Sequence, residues 1–575
     1  MAALKSIFTL LAAAPLTVQS ASPNCRCFPG DDCWPSADAW KALNQSTNGG
    51  LVATVPIASV CHDSFPGVEF DAEKCADIQA NWAVPDLHEA TEHSPMAAFW
   101  ANVSCDPFTS RESQCIIGTY VPYAVKALTA ADYQATIAFA RENNLRLVIR
   151  NTGHDYMGKS TGAGALALWT HFVSGTTVLD YDESYYTGKA MKIGAGVQAG
   201  TAQAAAKEAG YMLVEGDCET VGIAGGYTQG GGSSPLGSAF GLGADQVLEW
   251  EVVTAEGQHL VATPVENSDL YWALSGGGGG TYAAVLSMTV KLHKNMPTGS
   301  VTLTFTEPSD EFWTVVAAFL ANLPSVLQAG ATVYWQIFPG NSFLLPQSYF
   351  PGGSAAQLMK LMEPTFAALN ASGVQYASTA QDFPTFQDSY NTLNLHMNVT
   401  EVNLGGRLVP TSLIQNDQGK AVANAIRTIT DNQAVFAGIS MDVSKPPTSA
   451  NAANPYWRQT AFLAFFGTVY DRTNFANNLA GQKLVTDVLV PALANLTPNG
   501  AAYLNEADFN QPDWQQVFYG ENYARLLSIK QKYDPNSVFY GKTAVGSEEW
   551  EVDATGRLCK VGGVVSVNAG LDEMF

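Results

Sequence analysis

The chain has 575 residues, 47% of them hydrophobic and only 14% charged, and its formal net charge at pH 7 is -23. This length predicts about four domains, or two if they are large α/β units, with enough apolar residues for large buried cores. The 52 acidic residues outnumber the 29 basic ones, and no run rich in Lys or Arg occurs. A nucleic-acid-binding protein is therefore disfavoured, because such proteins need basic patches to neutralise phosphates.

The first 20 residues have the pattern of a signal peptide. Lys5 gives a short positive start, residues 6–18 are apolar but too few to span a bilayer, and Val18 and Ser20 suit the cleavage site. No later stretch is long and apolar enough for a membrane span. Five acceptor sequences for N-glycans follow, at Asn44, Asn102, Asn370, Asn398 and Asn495. The sequence predicts a secreted, extracellular glycoprotein that does not span a membrane.

Cysteines are concentrated in the segment 21–118, which is otherwise rich in loops. It holds seven of the nine, namely Cys25, Cys27, Cys33, Cys61, Cys75, Cys105 and Cys115. In an exported protein this pattern predicts a segment held by disulfides. Setting aside Cys218, which lies in a Gly-rich stretch, leaves eight cysteines including Cys559, enough for four bridges. The sequence does not fix which pairs form.

From about residue 119 the pattern alternates between helices and strands. Thr129 with Asp132 forms a helix-capping pattern, and Tyr133, Ile137 and Ala140 share one helical face. Strands are predicted at 145–151, 165–170, 176–180 and 190–194, a helix at 200–210, a hairpin at 246–263 and a half-buried strand at 285–293. We expect one domain over 119–298.

Beyond residue 299, strand-like runs alternate with long helices. Strands are predicted at 301–307, 330–338, 399–410 and 434–444, and helices at 310–328, 354–372, 412–431 and 476–494. This arrangement predicts an antiparallel sheet with helices on one side, in a second domain over 299–505.

Three Gly-rich stretches are candidates for chemistry: RNTGHDYMGKS (150–160), EGDCETVGIAGGYTQGGGSS (215–234) and YWALSGGGGGTYAAV (271–285). Glycines let backbone N–H groups approach an anion such as a phosphate closely. None of the stretches has the Gly-Lys-Ser/Thr of a P-loop or the dinucleotide-binding pattern of a doubly wound fold. A lone His, a lone Cys or a pentaglycine often has only a structural role. Their combination favours a ligand site.

In their order along the chain, these motifs resemble the vanillyl-alcohol oxidase superfamily, in its secreted fungal, berberine-bridge-enzyme-like branch. RNTGHD resembles the family's Arg-x-x-Gly-His segment, whose His carries the flavin on its 8α carbon, and this implicates His154. GDCETVGIAGG resembles the Gly-x-Cys-x-x-Val-Gly-x-Gly-Gly segment, whose Cys bonds flavin carbon 6, and this implicates Cys218. FGLGADQVLE and DLYWALSGGGGGT also match family segments. The resemblance therefore implies FAD attached through two covalent bonds.

The same resemblance implies an α+β fold. A PCMH-type FAD-binding domain of two subdomains would be followed by a substrate domain of antiparallel β-sheet covered by helices, and 506–575 would return to the FAD domain. It implies cofactor contacts, besides His154 and Cys218, from Arg150, Asn151, Thr152, Gly153, Asp155, Gly158, Ser160, Val221, Gly222, Gly225, Gly226, Gly230, Gly231, Gly232, Asp245 and Val247. No His/Cys cluster has metal-ligand spacing, so no metal is expected.

The implied reaction is oxidation of a hydroxyl group, with hydride transfer to flavin N5 and a base for the hydroxyl proton. In AYLNEADF, Tyr503 matches the family's Tyr-x-Asn-x segment, and Glu506 stands where many relatives have Tyr or His. A buried Glu506 would have a raised pKa suited to a base; the alternative is a surface carboxylate, with another residue as the base. Tyr156 matches a pocket-lining position and would orient the hydroxyl or pack against the flavin.

Val221, three residues after Cys218, matches a position where Val leaves room for O₂. It favours an oxidase that produces H₂O₂. Two alternatives stay open: a dehydrogenase that uses a non-oxygen acceptor, and a flavin-bearing binding protein without turnover. The sequence does not distinguish an alcohol, a saccharide or a secondary metabolite as the substrate, and it gives no oligomeric state.

Overall fold

The computed structural model describes residues 24–101, 104–394, 398–399, 401–445 and 447–562. The predicted signal peptide and the acceptor Asn102 lie outside these ranges. Within the described ranges, no helix combines the length and the apolar character that crossing a membrane requires.

The N-terminal segment has little regular structure and is held by disulfides. Its elements are α1 (Ala37–Ser46), β1 (Leu51–Ala53), α2 (Ala72–Asn81) and α3 (Pro85–Glu89). The bridges are Cys27–Cys33, Cys61–Cys75, Cys105–Cys115 and Cys25–Cys559, and Cys218 is a free thiol. The prediction of four bridges with Cys218 left over is confirmed. The fourth bridge ties the start of the described chain to its end.

A small parallel sheet follows, built from β2 (Tyr123–Lys126), α4 (Ala130–Glu142), β3 (Leu147–Arg150) and β4 (Leu166–Trp169). The strand order is β1-β2-β4-β3, with β1 antiparallel to β2 and the other pairs parallel. Helix α4 begins at the predicted cap, where Thr129 and Asp132 bond each other's backbone, and its predicted apolar face is buried. Strand β3 therefore delivers the loop 151–165 to the carboxyl edge of the sheet, where α/β proteins commonly bind ligands.

A second, antiparallel sheet of five strands completes the first half of the chain. Its region comprises β5 (Thr176–Glu183), β6 (Tyr186–Gly194), α5 (Ala199–Glu208), β7 (Tyr211–Met212), α6 (Gly237–Phe240), β8 (Val247–Val253), β9 (His259–Ala262), α7 (Ser268–Leu274), β10 (Ala284–Lys291) and β11 (His293–Lys294). The order is β5-β6-β10-β8-β9. The hairpin predicted over 246–263 is β8–β9.

The prediction of a half-buried β10 is wrong, because β10 is the central strand and is buried throughout. Its polar side chains find partners inside the protein. Ser287 Oγ donates to Glu251 Oε2 at 2.7 Å, and Lys291 Nζ donates to the Asp245 carbonyl at 3.2 Å. The polar residues that alternate along β10 therefore form buried hydrogen bonds and do not mark a solvent-exposed face of the sheet.

The largest sheet has seven antiparallel strands in the order β15-β12-β14-β13-β17-β18-β16. Its region comprises β12 (Thr298–Thr306), α8 (Glu311–Gln328), β13 (Thr332–Phe338), β14 (Ser342–Pro351), α9 (Ala355–Leu361), α10 (Glu363–Ser372), β15 (Tyr376–Phe383), α11 (Phe386–Leu393), β16 (Val402–Pro410), α12 (Thr411–Asn416), α13 (Lys420–Asp431), β17 (Val435–Ser440), β18 (Thr460–Val469), α14 (Phe475–Leu484) and α15 (Val490–Ala494).

Two predicted helices are interrupted. The helix predicted over 354–372 breaks at Met362, because Pro364 lies in the first turn of α10. The helix predicted over 412–431 breaks where Gln418 (φ 60°) and Gly419 (φ 75°) adopt left-handed backbone conformations.

The two faces of the large sheet have different neighbours. Phe436 of β17 and Trp335 of β13 pack with α8, α10 and α13 in the main hydrophobic core. The alternate residues Val435, Ala437 and Ile439 are half-buried and face the other way, because side chains alternate along a strand. This second face of the sheet borders a cavity. The fold class predicted above, α+β with an antiparallel sheet covered by helices, is confirmed.

The C-terminal segment contains α16 (Tyr523–Tyr533), β19 (Trp550–Val552) and β20 (Leu558–Lys560) and packs on the first half of the chain. Phe539 pairs with Leu147 of β3, and Lys530 Nζ donates to the Thr281 carbonyl at 2.8 Å. The domain bounds given above stay predictions.

Candidate active site

A cavity of about 470 Å³ lies between the loops of the first half of the chain and the open face of the large sheet. Most of the predicted site residues line it: Asn151, Thr152, Gly153, His154, Asp155, Tyr156, Ser160, Cys218, Val221, Gly222, Gly225, Gly226, Tyr503 and Glu506. Chain folding thus brings three segments together that are far apart in sequence.

The other predicted residues lie outside the lining: Arg150, Gly158, Gly230, Gly231, Gly232, Asp245 and Val247. Arg150 is fully buried, and its guanidinium donates to the carbonyls of Thr91, His88 and Ser94 at 3.0, 2.9 and 2.8 Å. It fastens the end of β3 to the N-terminal segment.

Asp245 lines a second, smaller cavity, where both of its oxygens accept from Arg458 at 2.8 and 2.7 Å. Val247 is buried in β8, and its carbonyl accepts from Tyr271.

The predicted glycines outside the lining make close contacts. A Cβ on Gly158 would lie 2.6 Å from the Trp100 ring, and one on Gly230 would lie 2.4 Å from Asn505 Nδ2. Gly231 and Gly232 have φ values of 122° and 81°. These positions need glycine for the local backbone path.

His154 and Cys218 meet inside the cavity, joined by Thr220. His154 Nε2 lies 2.7 Å from Thr220 Oγ1 and 4.0 Å from Cys218 Sγ, and Cys218 Sγ lies 3.5 Å from Thr220 Oγ1. Burial lowers the pKa of His154 to about 4, and the positive potential of His88 and Arg150 acts in the same direction. The imidazole is therefore neutral at physiological pH. Nδ1 makes no hydrogen bond to any described residue.

Backbone geometry directs His154 into the cavity. Gly153 has φ 94°, and a Cβ there would lie 2.8 Å from the Arg150 guanidinium. The Asp155 carboxylate then holds the following turn, because it accepts from the backbone N–H groups of Met157 (3.0 Å), Lys159 and Ser160 (3.3 Å). The sequence Gly-His-Asp therefore builds a compact loop with the imidazole in a fixed position.

Lys159 is the one Lys or Arg among the described residues that line the cavity. Its stem lies against Gly541, where an added Cβ would be 2.9 Å from Lys159 Cγ. Burial lowers the pKa of its ammonium, and Asp155 is the one acidic group that raises it. The ammonium makes no ion pair or side-chain hydrogen bond within the described chain, so this cation is suited to an anionic ligand group.

Several polar atoms of the lining are buried without a hydrogen-bond partner in the described protein. They are Asn151 Oδ1, Ser160 Oγ, Gln229 Oε1 and Glu506 Oε2. Buried polar groups in native proteins are almost always satisfied, so such a group of orphans indicates a polar ligand. Together with the Gly-rich loops and Lys159, they fit a large cofactor that carries phosphates and hydrogen-bonding rings.

Glu506, Asp217 and Tyr503 form an acidic group in the cavity. Burial raises the pKa of Glu506 to about 8, and the charge of Asp217 raises it further. Burial also raises the pKa of Asp217 to about 6. Asn505 Nδ2 donates to Tyr503 Oη at 2.8 Å and to the Gly226 carbonyl at 2.8 Å. These bonds join the 503–506 segment to the Gly-rich loop.

Sequence reasoning did not single out Thr220, Asp217, Lys159 or the individual residues of the sheet-side wall of the cavity. Thr220 and Asp217 adjoin Cys218, and Lys159 lies in the quoted His154 motif, so a check of every polar residue in those motifs would have found them. Part of the wall comes from the aromatic-rich runs at 333–343 and 454–467, whose composition fits an apolar or sugar-stacking pocket and an ordinary core equally well.

Comparisons with known proteins agree with this site. Residues 121–263 match the family model described as FAD binding domain, and residues 502–546 match the one described as berberine and berberine like. The two segments contribute His154, Cys218, Tyr503 and Glu506 to one cavity. Fold and site therefore define an FAD-dependent oxidoreductase.

Full-length relatives make the family definite. The FAD-linked oxidoreductase sor8 of Hypocrea jecorina is 46% identical over 568 residues, 98% of this chain and 97% of that protein. The VAO-type flavoprotein oxidase VAO615 of Thermothelomyces thermophilus is 42% identical over 557 residues, 95% and 96% of the two chains. The crystal structure of the VAO-type flavoprotein MtVAO615 from Myceliophthora thermophila has a TM-score of 0.89, at 42% identity, and covers 93% of this chain and 100% of that one. This chain belongs to the FAD-linked oxidoreductases of the vanillyl-alcohol oxidase family, in the berberine-bridge-enzyme-like group.

Proposed function

We propose that the protein is a secreted flavoprotein oxidase whose FAD is bonded to both His154 and Cys218, and that it oxidises a hydroxyl group of a small molecule. The observation that carries the proposal is the 4.0 Å separation of His154 Nε2 and Cys218 Sγ in a cavity that also contains Glu506. When bound, FAD would supply the hydride acceptor, and O₂ as the oxidant of the reduced flavin would account for H₂O₂ as the second product.

His154 is prepared for covalent attachment by its surroundings. Burial keeps the imidazole neutral, and a neutral imidazole has a lone pair for bond formation. In the tautomer in which the Nε2–H donates to Thr220 Oγ1, Nδ1 has the free lone pair and is the nitrogen we assign to the flavin 8α carbon. Each of the two bonds would replace a C–H bond of the flavin and release a proton and an electron pair, for which O₂ would be the acceptor. We place the Cys218 thiol at flavin carbon 6, on the same side of the cavity.

Glu506 accepts the proton of the substrate hydroxyl while the C–O bond becomes a carbonyl. Its carboxyl lies in the cavity, and its unpartnered Oε2 is the atom we assign to this proton. Tyr156 packs edge-on against Phe465, with ring centres 5.9 Å apart, and we assign Tyr156 and Tyr503 to orientation of the hydroxyl. Val221 lines the same cavity, and its small side chain supports access of O₂.

The predicted acceptor sites for glycans are compatible with an exported protein. Asn370, Asn398 and Asn495 are exposed, and Asn44 is half-buried with Oδ1 accepting from the Leu51 N–H at 3.1 Å. Four disulfides also suit an oxidising compartment. A mass shift after enzymatic deglycosylation of the secreted protein tests this part of the proposal.

Covalent attachment is tested by mass spectrometry of the purified protein. Peptides with His154 and with Cys218 should both carry the flavin mass. After acid precipitation, the variants His154→Ala and Cys218→Ala should each keep the flavin through the other bond, and the double variant should release it. A flavin that is released from the unmodified protein would contradict the proposal.

Oxygen consumption distinguishes an oxidase from its alternatives. An oxidase consumes O₂ and produces H₂O₂ in equal amounts during turnover. A dehydrogenase would turn over with a quinone or dye acceptor and leave O₂ unused. A flavin that no substrate panel reduces would instead indicate a binding protein.

A further inference from the structure

We propose that the substrate of this site is an uncharged, mainly apolar alcohol, and that the cavity excludes anionic and highly hydroxylated molecules. The inference rests on the oxidation proposed above and adds the substrate class. It comes from the sheet-side wall of the cavity, which neither the motifs nor the family models describe.

The sheet-side wall is a mainly apolar surface made by residues of neighbouring strands of the large sheet. Gln336 of β13, Ala437 of β17 and Phe465 of β18 are directly paired in one row across the sheet. The other lining residues from the sheet are Tyr334, Trp335, Phe338, Pro346, Gln347, Val402, Val435, Gly438, Ile439 and Gly467. Among the described residues of this wall, the polar side chains are those of Gln336, Gln347 and Tyr334, together with the Trp335 indole, which donates to Ser440 Oγ at 2.9 Å.

Such a wall satisfies few hydrogen bonds. A saccharide would bring several hydroxyls against Phe, Val, Ala and Ile side chains, and each buried hydroxyl without a partner opposes binding. An apolar ring or chain would instead be favoured by its removal from water. The wall therefore favours an apolar substrate over a saccharide.

The charged groups of the cavity exclude anions from the same space. Glu506 and Asp217 line the cavity, and Lys159, whose stem lies against Gly541, is the sole described lining cation. Arg458 and Arg407 lie outside the lining and have partners there: Arg458 pairs with Asp245, and Arg407 donates to Thr497 at 2.9 and 2.6 Å. At neutral pH a carboxylate on the substrate would meet the ionised Asp217, and above about pH 8 also the ionised Glu506, with no cation from the large sheet to pair with it.

The polar end of the cavity is small. Glu506 Oε2 and the Tyr503–Asn505 pair are close in sequence and lie in one segment of the lining. Since Asn505 already donates to Tyr503 Oη, the Tyr503 hydroxyl keeps its hydrogen for another acceptor. One substrate hydroxyl can use both groups, with its hydrogen toward Glu506 and its oxygen accepting from Tyr503.

The 503–506 segment lies at one end of the row formed by Gln336, Ala437 and Phe465. Phe465 pairs with Gly406 of β16, and the carbonyl of Glu506 packs on Gly406, where an added Cβ would lie 2.0 Å away. A substrate that places its hydroxyl at Glu506 therefore lays the rest of its structure along Phe465, Ala437 and Gln336.

The test compares matched pairs of compounds with the flavin-loaded enzyme under anaerobic conditions. The pairs are benzyl alcohol with 4-(hydroxymethyl)benzoate, and cyclohexylmethanol with glucose. Flavin reduction and perturbation of the flavin absorbance spectrum are recorded for each compound. The uncharged, apolar member should be preferred by a factor on the order of 10² in the reduction rate per unit concentration.

A variant pair tests the wall directly. Ala437→Lys adds a cation to the middle of the apolar row and should raise the relative rate for 4-(hydroxymethyl)benzoate at least tenfold. Ala437→Met, of similar length but uncharged, should leave the preference for benzyl alcohol in place.

The outcomes separate this inference from the proposed function. If glucose or the carboxylate is preferred, the substrate class is overturned and the oxidase stands. If the apolar compounds perturb the spectrum but nothing reduces the flavin, the proposed oxidation fails, while the preference of the cavity for uncharged, apolar ligands stands. If the apolar compounds neither perturb nor reduce the flavin, the substrate class is overturned.

Discussion

Glu506 is the residue whose ionisation should control the rate. Its pKa is raised to about 8, so the carboxylate that accepts a proton is present mainly above pH 8. The rate of flavin reduction should therefore rise with pH through this value. Glu506→Gln should lower the rate by about 10²–10⁴ and remove this rise, which a measured pH profile checks. A rise that persists in Glu506→Gln would show that another group is the base.

Asp217 should tune Glu506 without replacing it. The negative charge of Asp217 contributes to the raised pKa of Glu506. Asp217→Asn should therefore move the rising limb of the pH profile below pH 8 while keeping its shape. Asp388→Asn changes an exposed carboxylate that pairs with Lys207 at 2.8 Å, and it should leave the profile in place. An unmoved limb in Asp217→Asn would contradict this coupling.

Thr220 should determine how completely His154 becomes attached. Its hydroxyl lies 2.7 Å from His154 Nε2 and fixes the orientation of the ring. In a Cys218→Ala background, where His154 is the remaining anchor, Thr220→Val should release most of the flavin on acid precipitation. Thr220→Ser restores the hydroxyl and should retain it. Equal retention of the flavin in Thr220→Val and Thr220→Ser would contradict a positioning role for Thr220.

The residues predicted from sequence are those with a fixed motif spacing. His154 and Cys218 each lie in a short pattern, and the structure brings them into one cavity. Lys159 and Asp217 lie beside them, but one cation or one carboxyl in a loop has no distinguishing pattern. Their altered pKa values come mainly from burial in the folded protein, and the stem of Lys159 is buried against Gly541, several hundred residues away.

Strand β16 contacts the segment that carries Glu506. It carries two adjacent glycines, Gly405 and Gly406, whose missing side chains point to opposite faces of the sheet. A Cβ on Gly406 would lie 2.0 Å from the Glu506 carbonyl oxygen, whereas one on Gly405 would lie 2.7 Å from Val485 Cγ1. The Glu506 carbonyl is part of the backbone and cannot shift as easily as the Val485 side chain, so an added Cβ is more disruptive at Gly406 than at Gly405.

The two glycines give a matched pair of variants. Gly406→Ala should displace the 503–506 segment and lower the rate of flavin reduction by about 10². Gly405→Ala should cost about 1–3 kcal/mol of stability through overpacking and leave the rate nearly unchanged. Rapid-mixing kinetics and thermal unfolding of both proteins check this. A normal rate in Gly406→Ala would mean that the segment does not depend on β16.

Helices and strands could be predicted from the sequence where apolar residues recur with a clear helical or strand period. The capping pattern and apolar face of α4 and the hairpin β8–β9 are confirmed. Three strands of the large sheet were missed for physical reasons. Strand β14 contains Pro346, β15 is an exposed edge strand without apolar alternation, and β18 is a continuous apolar run, which fits a buried helix equally well.

At the scale of the whole molecule, buried titratable groups should set an acidic optimum of stability. Burial lowers the pKa values of His88 and His293 from 6.5 to about 4, so the unfolded chain binds more protons and stability falls as pH drops from 6.5 to 4. Burial raises the pKa values of Glu89 and Glu506 from 4.5 to about 7 and about 8, so stability falls as pH rises from 4.5 toward these values.

The opposing slopes place the maximum between about pH 4.5 and 6.5. Thermal unfolding of the flavin-loaded protein should show a Tm lower by a few degrees at pH 8 than at pH 5.5. Glu89 bonds Gln198 outside the cavity, so Glu89→Gln should reduce this loss without altering the flavin spectrum. A Tm that climbs steadily to pH 8 would contradict the assignment.

The bridge between Cys25 and Cys559 has a consequence for biosynthesis. Its two cysteines are 534 residues apart, and the strand–strand contact around them joins the start of the described chain to β20. Because translation runs from the N-terminus, the partner of Cys25 is the last cysteine to leave the ribosome. Until then Cys25 is an unpaired thiol beside six neighbouring cysteines, open to exchange with their sulfurs. Correct assembly therefore has to wait for, or be repaired after, completion of the chain, and a product shortened before Cys559 would keep a reactive thiol at its other end.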